Sequence, residues 1–123
     1  MKSSIGTAKN LGRAVEVRDV VRHLRADYGL TQSAIAKATG TSARSVRNWE
    51  TTSAIRPGND DRLRDLREIA LILNGTLTAR GVGQWLNARN RILKGQRPLD
   101  LLASGKTKPV RDAAKAYVDG AYI

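Results

Sequence analysis

Leu30-Thr-Gln-Ser-Ala-Ile-Ala-Lys-Ala-Thr-Gly-Thr-Ser-Ala-Arg-Ser-Val-Arg-Asn-Trp49 is the stretch on which the fold turns. Thr31 is a good N-cap for a short helix from Gln32 to about Thr39, with Ile35 and Ala36 facing inward. Ala36 is small, as two closely crossing helices require where they meet. Gly40, four positions on, tolerates a positive φ and supplies a tight turn. Ser42 caps the next helix, which runs to about Thr51, and Val46 sits at the spacing that locks it to the first. Cap, small residue, glycine and inward valine follow in the order of a helix-turn-helix.

With Val46 inward, Ala43, Trp49 and Glu50 lie within about 60° of it at about 100° per residue, which puts Trp49 in the core. Arg44, Ser45, Arg47 and Asn48 then face outward. Arginine can bond guanine bidentately, asparagine can do the same to adenine, and serine can meet a base or a phosphate. Gln32 and Ser42, at helix N-termini, suit phosphate contacts. Any polar helix face can be merely solvated. Two arginines and an asparagine on a motif shaped for the major groove favour double-stranded DNA.

Outward from this motif the chain reads as helices throughout. Val17, Val20, Val21, Leu24 and Tyr28 form one apolar stripe of a helix beginning near Ala14 and stopped by Gly29. His23 lies about 120° from that stripe, so it belongs to the surface rather than to a site. Residues 1–12, rich in Ser, Gly, Thr and Lys, read as a flexible arm. Downstream, Arg56-Pro57-Gly58-Asn59 is a loop with Asn59 as the cap of the next helix. Asp60 and Asp61 fall in its first turn, where the macrodipole favours acids. Leu63, Leu66, Ala70 and Leu73 are its buried stripe, and Asn74-Gly75 ends it. The alternating charges from Asp61 to Glu68 read as a solvated, ion-paired face.

The remainder is less strongly patterned. Thr78 caps a helix containing Val82, Trp85 and Leu86, although Gly81 and Gly83 lower its propensity and leave its placement on the first half open. Asn87 to Arg97 is a polar, basic loop. Pro98 fits the first turn of a short helix, Leu99 to Ser104, closed by Gly105. Thr107 and Pro109 open a last helix whose inner face is Val110, Ala113, Ala114, Tyr117 and Val118. Gly120 ends it, leaving Ala121-Tyr122-Ile123 as an apolar tail. There is no strand pattern and no internal repeat. The expected fold is all-α: the arm, a helix-turn-helix domain over 13–74, and a small helical domain over 75–123.

Composition narrows the function classes. The 22 Lys and Arg against 11 Asp and Glu give +11, a field that favours nucleic acid, an anionic membrane or an acidic protein partner. Residues 1–74 carry 13 basic and 8 acidic side chains, and residues 75–123 carry 9 and 3. The second part is therefore denser in positive charge although the first holds the DNA motif, so its cations serve another surface. With no cysteine and one histidine, disulfides, cysteine metal sites and a Ser-His triad are poorly supplied. No paired carboxylates in an apolar setting and no phosphate-cradling glycine loop point to an enzyme. No cofactor and no metal are expected. The absence of a transmembrane or signal-like stretch makes a cytoplasmic protein the default.

Three features of the second half carry a family resemblance. They are Trp85-Leu86-Asn87, then Gly95-Gln-Arg-Pro-Leu-Asp-Leu-Leu-Ala-Ser-Gly105, then a last helix with Gly120 near the chain end. Together with the Trp49-Glu50 pair closing the helix-turn-helix, residues 30–123 resemble the Xre/MbcA/ParS-type antitoxins, which join an Xre/Cro-like motif to a C-terminal toxin-binding domain. The resemblance implies the antitoxin of a type II toxin–antitoxin system, with a RES-domain toxin that consumes NAD as partner. It further implies that the C-terminal region covers the toxin's active-site cleft while the DNA-binding motif represses the operon. A homodimer and a higher hetero-oligomer with toxin are expected with it. Arg97, Pro98, Asp100 and the tail Gly120, Ala121, Tyr122 and Ile123 match the family pattern. The residues themselves agree: an apolar tail suits burial in a pocket, and Arg89, Arg91, Lys94 and Arg97 can complement an acidic cleft. A frayed terminus and a loop touching DNA phosphate are the plainer alternatives. A free-standing helix-turn-helix regulator without a toxin is the alternative function.

Overall fold

The first apolar stripe folds as expected: helix α1 (Val17–Ala26) buries Val17, Val20, Val21 and Leu24. The computed structural model describes residues 15–52 and 54–120, so the arm over 1–12, a start near Ala14 and the tail Ala121-Tyr122-Ile123 lie outside the described residues. Helix α1 ends before Tyr28, which is nevertheless buried, and Gly29 turns the chain at φ +69°.

Helix α2 (Gln32–Thr39) starts where the Thr31 hydroxyl accepts the Ala34 N–H at 3.0 Å. It ends in a Schellman turn. The Thr41 N–H reaches the Ala36 carbonyl, the Gly40 N–H reaches that of Lys37, and Gly40 takes φ +75°. Ser42 then accepts the Ser45 N–H at 3.2 Å and opens α3 (Ala43–Thr52), with Val46 and Trp49 buried.

Helix α4 (Pro57–Asn74) departs from the sequence expectation at its start. Proline occupies its first turn and Arg56 precedes it, so Asn59 is inside the helix rather than its cap, and Asp60 is the acid of the first turn. The Asn59 amide has a different use: its Nδ2 donates to the Thr39 carbonyl at 3.0 Å, tying α4 to the end of α2. The buried stripe is Leu63, Leu66, Ala70 and Leu73, with Ile69 added.

Helix α5 (Ala79–Asn87) forms despite its two glycines, capped by the Thr78 hydroxyl on the Gly81 N–H at 3.1 Å. Gly83 supplies the reason for one of them. A Cβ there would lie 2.1 Å from the Tyr28 carbonyl oxygen, so the glycine lets α5 press directly on the segment after α1. Far from loosening the second half, it fixes its seat. Helix α6 (Pro98–Ala103) begins at the proline itself, one residue earlier than expected, and closes in a second Schellman turn at Gly105. Helix α7 (Thr107–Gly120) buries Val110, Ala113 and Ala114, but Tyr117 is 36% exposed rather than inward. Its ring meets the edge of Trp85, centroids 6.5 Å apart.

Among the described residues there are seven helices and no strand, only an isolated bridge between Asn90 and Gln96. Helix α4 touches α1, α2, α5 and α7, while α2 packs against α3, α4 and α6. The buried side chains of both halves form one hydrophobic cluster from Val17 to Ala114, mostly aliphatic with Tyr28 and Trp49 included. Polar contacts pin the surfaces between helices. The Lys37 ammonium on α2 pairs with the Asp100 carboxylate on α6. Arg62 on α4 lies against Gly40 and donates to the Leu102 carbonyl. The charged face of α4 is ion-paired, partly across to α7: Arg111 reaches Asp65 at 3.1 Å and Glu68 at 2.9 Å. Burial nevertheless holds the Asp65 carboxyl above its ordinary range, against the pull of Arg111 and helped by Glu68 and Asp61.

Gly83→Ala should gain about 1 kcal/mol of helix propensity and lose about 1–3 kcal/mol to overpacking against Tyr28. Its urea midpoint should fall below that of Gly81→Ala, whose added Cβ meets only Thr78 Oγ1 and Leu77 side-chain atoms at 3.2 Å and beyond. Equal midpoints would refute the close approach. A second test concerns Asp100, whose carboxyl lies below its ordinary range because of the hydrogen bond from Lys37 and then the charges of Lys37, Arg97 and Arg89. A depressed carboxyl contributes stability above its unfolded pKa of about 3.9, and that contribution is lost as pH falls through the lower folded value. In Lys37→Met, the carboxyl-carbon NMR titration of Asp100 should move upward; an unmoved midpoint would remove the pair from the α2–α6 contact.

Candidate functional site

Two surfaces gather the residues singled out from the sequence. The first is the outer side of α3. Because Val46 and Trp49 are locked in the core, Arg44, Arg47 and Asn48 are exposed, and Ser45 is half-buried with its hydroxyl 3.2 Å from that of Ser42. Gln32, on α2, is half-buried and turned to Glu50 of α3. Its amide donates to Glu50 Oε1 at 3.2 Å, inside a charged arrangement between α1, α2 and α3. Arg25 grips the same carboxylate, Nη1 lying 2.8 Å from Oε2 and 3.1 Å from Oε1, while Arg22 donates to the Glu50 backbone carbonyl at 3.2 Å.

These groups line an open cleft of about 750 Å³, with Thr31, Ser33 and Arg47 on its walls. On the other flank of α3, a polar hollow of about 380 Å³ is lined by Thr41, Ser45, Asn48, Arg56 and Asn59. The helix edge thus stands between two polar concavities with cations on each side, an arrangement suited to a polyanion that runs past the helix on both flanks. Sequence reading did not select Arg22, Arg25 or Arg56. The signal for the first two was present: they stand three apart on α1, off its apolar stripe.

The second surface is the loop between α5 and α6. It is ordered by its own hydrogen bonds: Asn90 N–H to the Gln96 carbonyl, Gly95 N–H to the Asn90 carbonyl, and Ile92 N–H to Asn90 Oδ1. Lys94 and Gly95 both take positive φ, and Leu93 is buried beneath them. The loop therefore projects Arg91, Ile92 and Lys94 from a fixed turn, while Arg89 reaches back to the Gly95 carbonyl at 3.1 Å. Arg97 is exposed at the start of α6. Pro98 is buried and acts by setting the helix entry, and Asp100 faces Lys37. Gly120 is exposed at the end of α7; Ala121, Tyr122 and Ile123 lie outside the described residues. Ile92 was not among the residues selected from sequence.

Among the described residues no group of three acidic, histidine or cysteine side chains could hold a metal ion. None of their helices is long and apolar enough to cross a membrane. No family model matches the chain. Over 116 residues the chain is 49% identical to the probable mycobacterial cidal antitoxin Rv3188 of Mycobacterium tuberculosis, covering 94% of this chain and 99% of the relative. It is 29% identical over 97 residues to the mycobacterial cidal antitoxin MbcA of M. tuberculosis and Mycobacterium bovis, covering 77% of this chain and 85% of theirs. Its fold is similar to a chain in the crystal structure of the M. tuberculosis MbcT–MbcA toxin–antitoxin complex, with a TM-score of 0.71 and 25% identity. That likeness spans 86% of this chain and 96% of the solved one. An all-helical chain with this near-complete likeness to an antitoxin belongs to the mycobacterial cidal antitoxin family.

Proposed function

We propose that this antitoxin has two binding activities: it neutralises a partner toxin through residues 75–123 and represses its own operon through residues 13–74. The observation that carries the DNA half is the edge of α3. Arg44, Arg47 and Asn48 are exposed on a helix whose opposite side is anchored by Val46 and Trp49. Arginine and asparagine in those positions supply the donors and acceptors that major-groove base edges match. Arg22, Arg25 and Arg56 on its flanks add phosphate contacts. A homodimer would set two such edges against half-sites about one helical turn apart.

The toxin half is supported by the relative MbcA, solved in complex with MbcT. By resemblance, the toxin is of the RES type, consumes NAD, and has its active-site cleft covered by the antitoxin's C-terminal region. Arg89, Arg91, Lys94 and Arg97 supply cationic contacts around that cleft, and the tail from Gly120 to Ile123 fills it. The chain itself acts by binding, not by catalysis.

Arg44→Ala and Asn48→Ala should each weaken binding to the chain's own operator by about 1–3 kcal/mol and relax base preference at one position. Gel-shift titrations on operator variants read both effects, and unchanged affinity for both variants would reject α3 as the reading helix. Deleting Gly120 to Ile123 should abolish protection in a co-expression toxicity assay while leaving operator affinity intact. Full protection by the truncated chain would place the inhibitory surface elsewhere.

A further inference from the structure

The large hydrophobic side chains left exposed among the described residues are Leu71, Ile92 and Tyr117. Leu71 stands on α4, but the other two share a surface. Ile92 and Tyr117, with Ala116 and Gly120, line a shallow hollow of about 220 Å³ between the α5–α6 loop and the end of α7. Ile92 also borders a second hollow of about 230 Å³, walled by Leu93, Leu101 and Pro109, with Lys94 and Lys106 at its edge. An isoleucine that is 57% exposed therefore forms the ridge between two apolar depressions.

The ridge is held rigidly. Its N–H is engaged by Asn90 Oδ1, its neighbour Leu93 is buried, and Lys94 adopts φ +57°, a costly conformation for a side-chain-bearing residue. A presented apolar side chain on a preorganised turn is what a binding anchor requires, because little freedom remains to be lost on docking.

We infer that Ile92, with Tyr117 beside it, is the apolar anchor of the toxin interface, resting on the function proposed above. Three features select the toxin as occupant. No acidic side chain lines either hollow, whereas Lys94 and Lys106 line the second, so the complementary surface is apolar with acidic surroundings. A symmetric contact with a second copy would bring the same lysines face to face, which works against self-association here. Gly120, the last described residue before the proposed inhibitory tail, forms one wall, so the anchor lies beside the point from which that tail starts. The cations then govern encounter and salt dependence, and Ile92 governs residence time.

The test uses the full chain and the purified partner toxin proposed above, with association and dissociation rates followed by biolayer interferometry. Ile92→Asp should weaken binding on the order of 30-fold or more, the range of a hot-spot residue, chiefly through faster dissociation. Ile92→Ala should follow in the same direction by a smaller factor. Lys94→Ala with Lys106→Ala should instead slow association and flatten its salt dependence. Operator affinity and the thermal midpoint should be unchanged in all, since Ile92, Lys94 and Lys106 are exposed and none lies on α3. Wild-type toxin binding with Ile92→Asp within three-fold of it would overturn the anchor alone. So would a change from dimer to monomer in Ile92→Asp with toxin affinity kept, which would assign the ridge to self-association. If the wild-type chain binds no toxin, the proposed function fails and the anchor falls with it.

Discussion

Helix α2 is the element on which the rest depends. At eight residues it is too short to persist by itself in water, and it is stable here because it is covered by α3, α4 and α6 together. Its end is closed by a contact drawn from three parts of the chain. Gly40 turns with positive φ, the Arg62 guanidinium occupies the space a side chain would take there, and that guanidinium ends on the Leu102 carbonyl. Asn59 adds a bond to the Thr39 carbonyl, and Lys37 adds an ion pair to Asp100. The turn leading into α3 is thus held by residues that lie both before and after it, some of them in α6. Arg62 and Lys37 thereby tie the turn ahead of α3 to the C-terminal helices.

Much of this was legible from local pattern. The stripes of α1 and α4, the caps at Thr31, Ser42 and Thr78, and the glycine turns at Gly40 and Gly105 all follow from spacing and residue chemistry, and each forms as expected. What was not legible depends on a partner far along the chain. Gly83 reads locally as a weak point, because propensity counts only its lost side chain; its use is the Tyr28 carbonyl on another element. Asn59 reads as a cap, because a preceding proline and an arginine give no hint that Thr39 needs its amide. Tyr117 has the correct helical spacing to face inward, but it lies in the last turns of α7, where its ring meets Trp85 and stays exposed. Ile92, in a loop rich in charge, offered no periodicity from which exposure or burial could be read.

The charges sort themselves in a way that composition conceals. Several acids are committed to neighbouring cations: Glu50 to Arg25, Asp60 to Arg64, Asp65 and Glu68 to Arg111, Asp100 to Lys37 and Asp112 to Lys108. Most of these pairs are partly solvent-exposed, so each adds little stability. Their larger effect is on the field. With acids neutralised along the helix contacts, Arg44 and Arg47 on one side and Arg91, Lys94 and Arg97 on the other project positive potential into solvent from separate faces. One net charge is thereby divided between two exposed cationic surfaces.

The core contains no phenylalanine, and its two tryptophans are divided between the two surfaces. Trp49 is 4% exposed beneath the α3 edge, while Trp85 is half-buried and stacked edge-on to Tyr117, beside the Ile92 ridge. Their fluorescence should therefore separate by environment: a bluer emission from the shielded indole and a redder, more quenchable one from the wetter indole. The molecule carries a native optical probe under each of its faces, so occupation of one can be distinguished from occupation of the other without any attached dye.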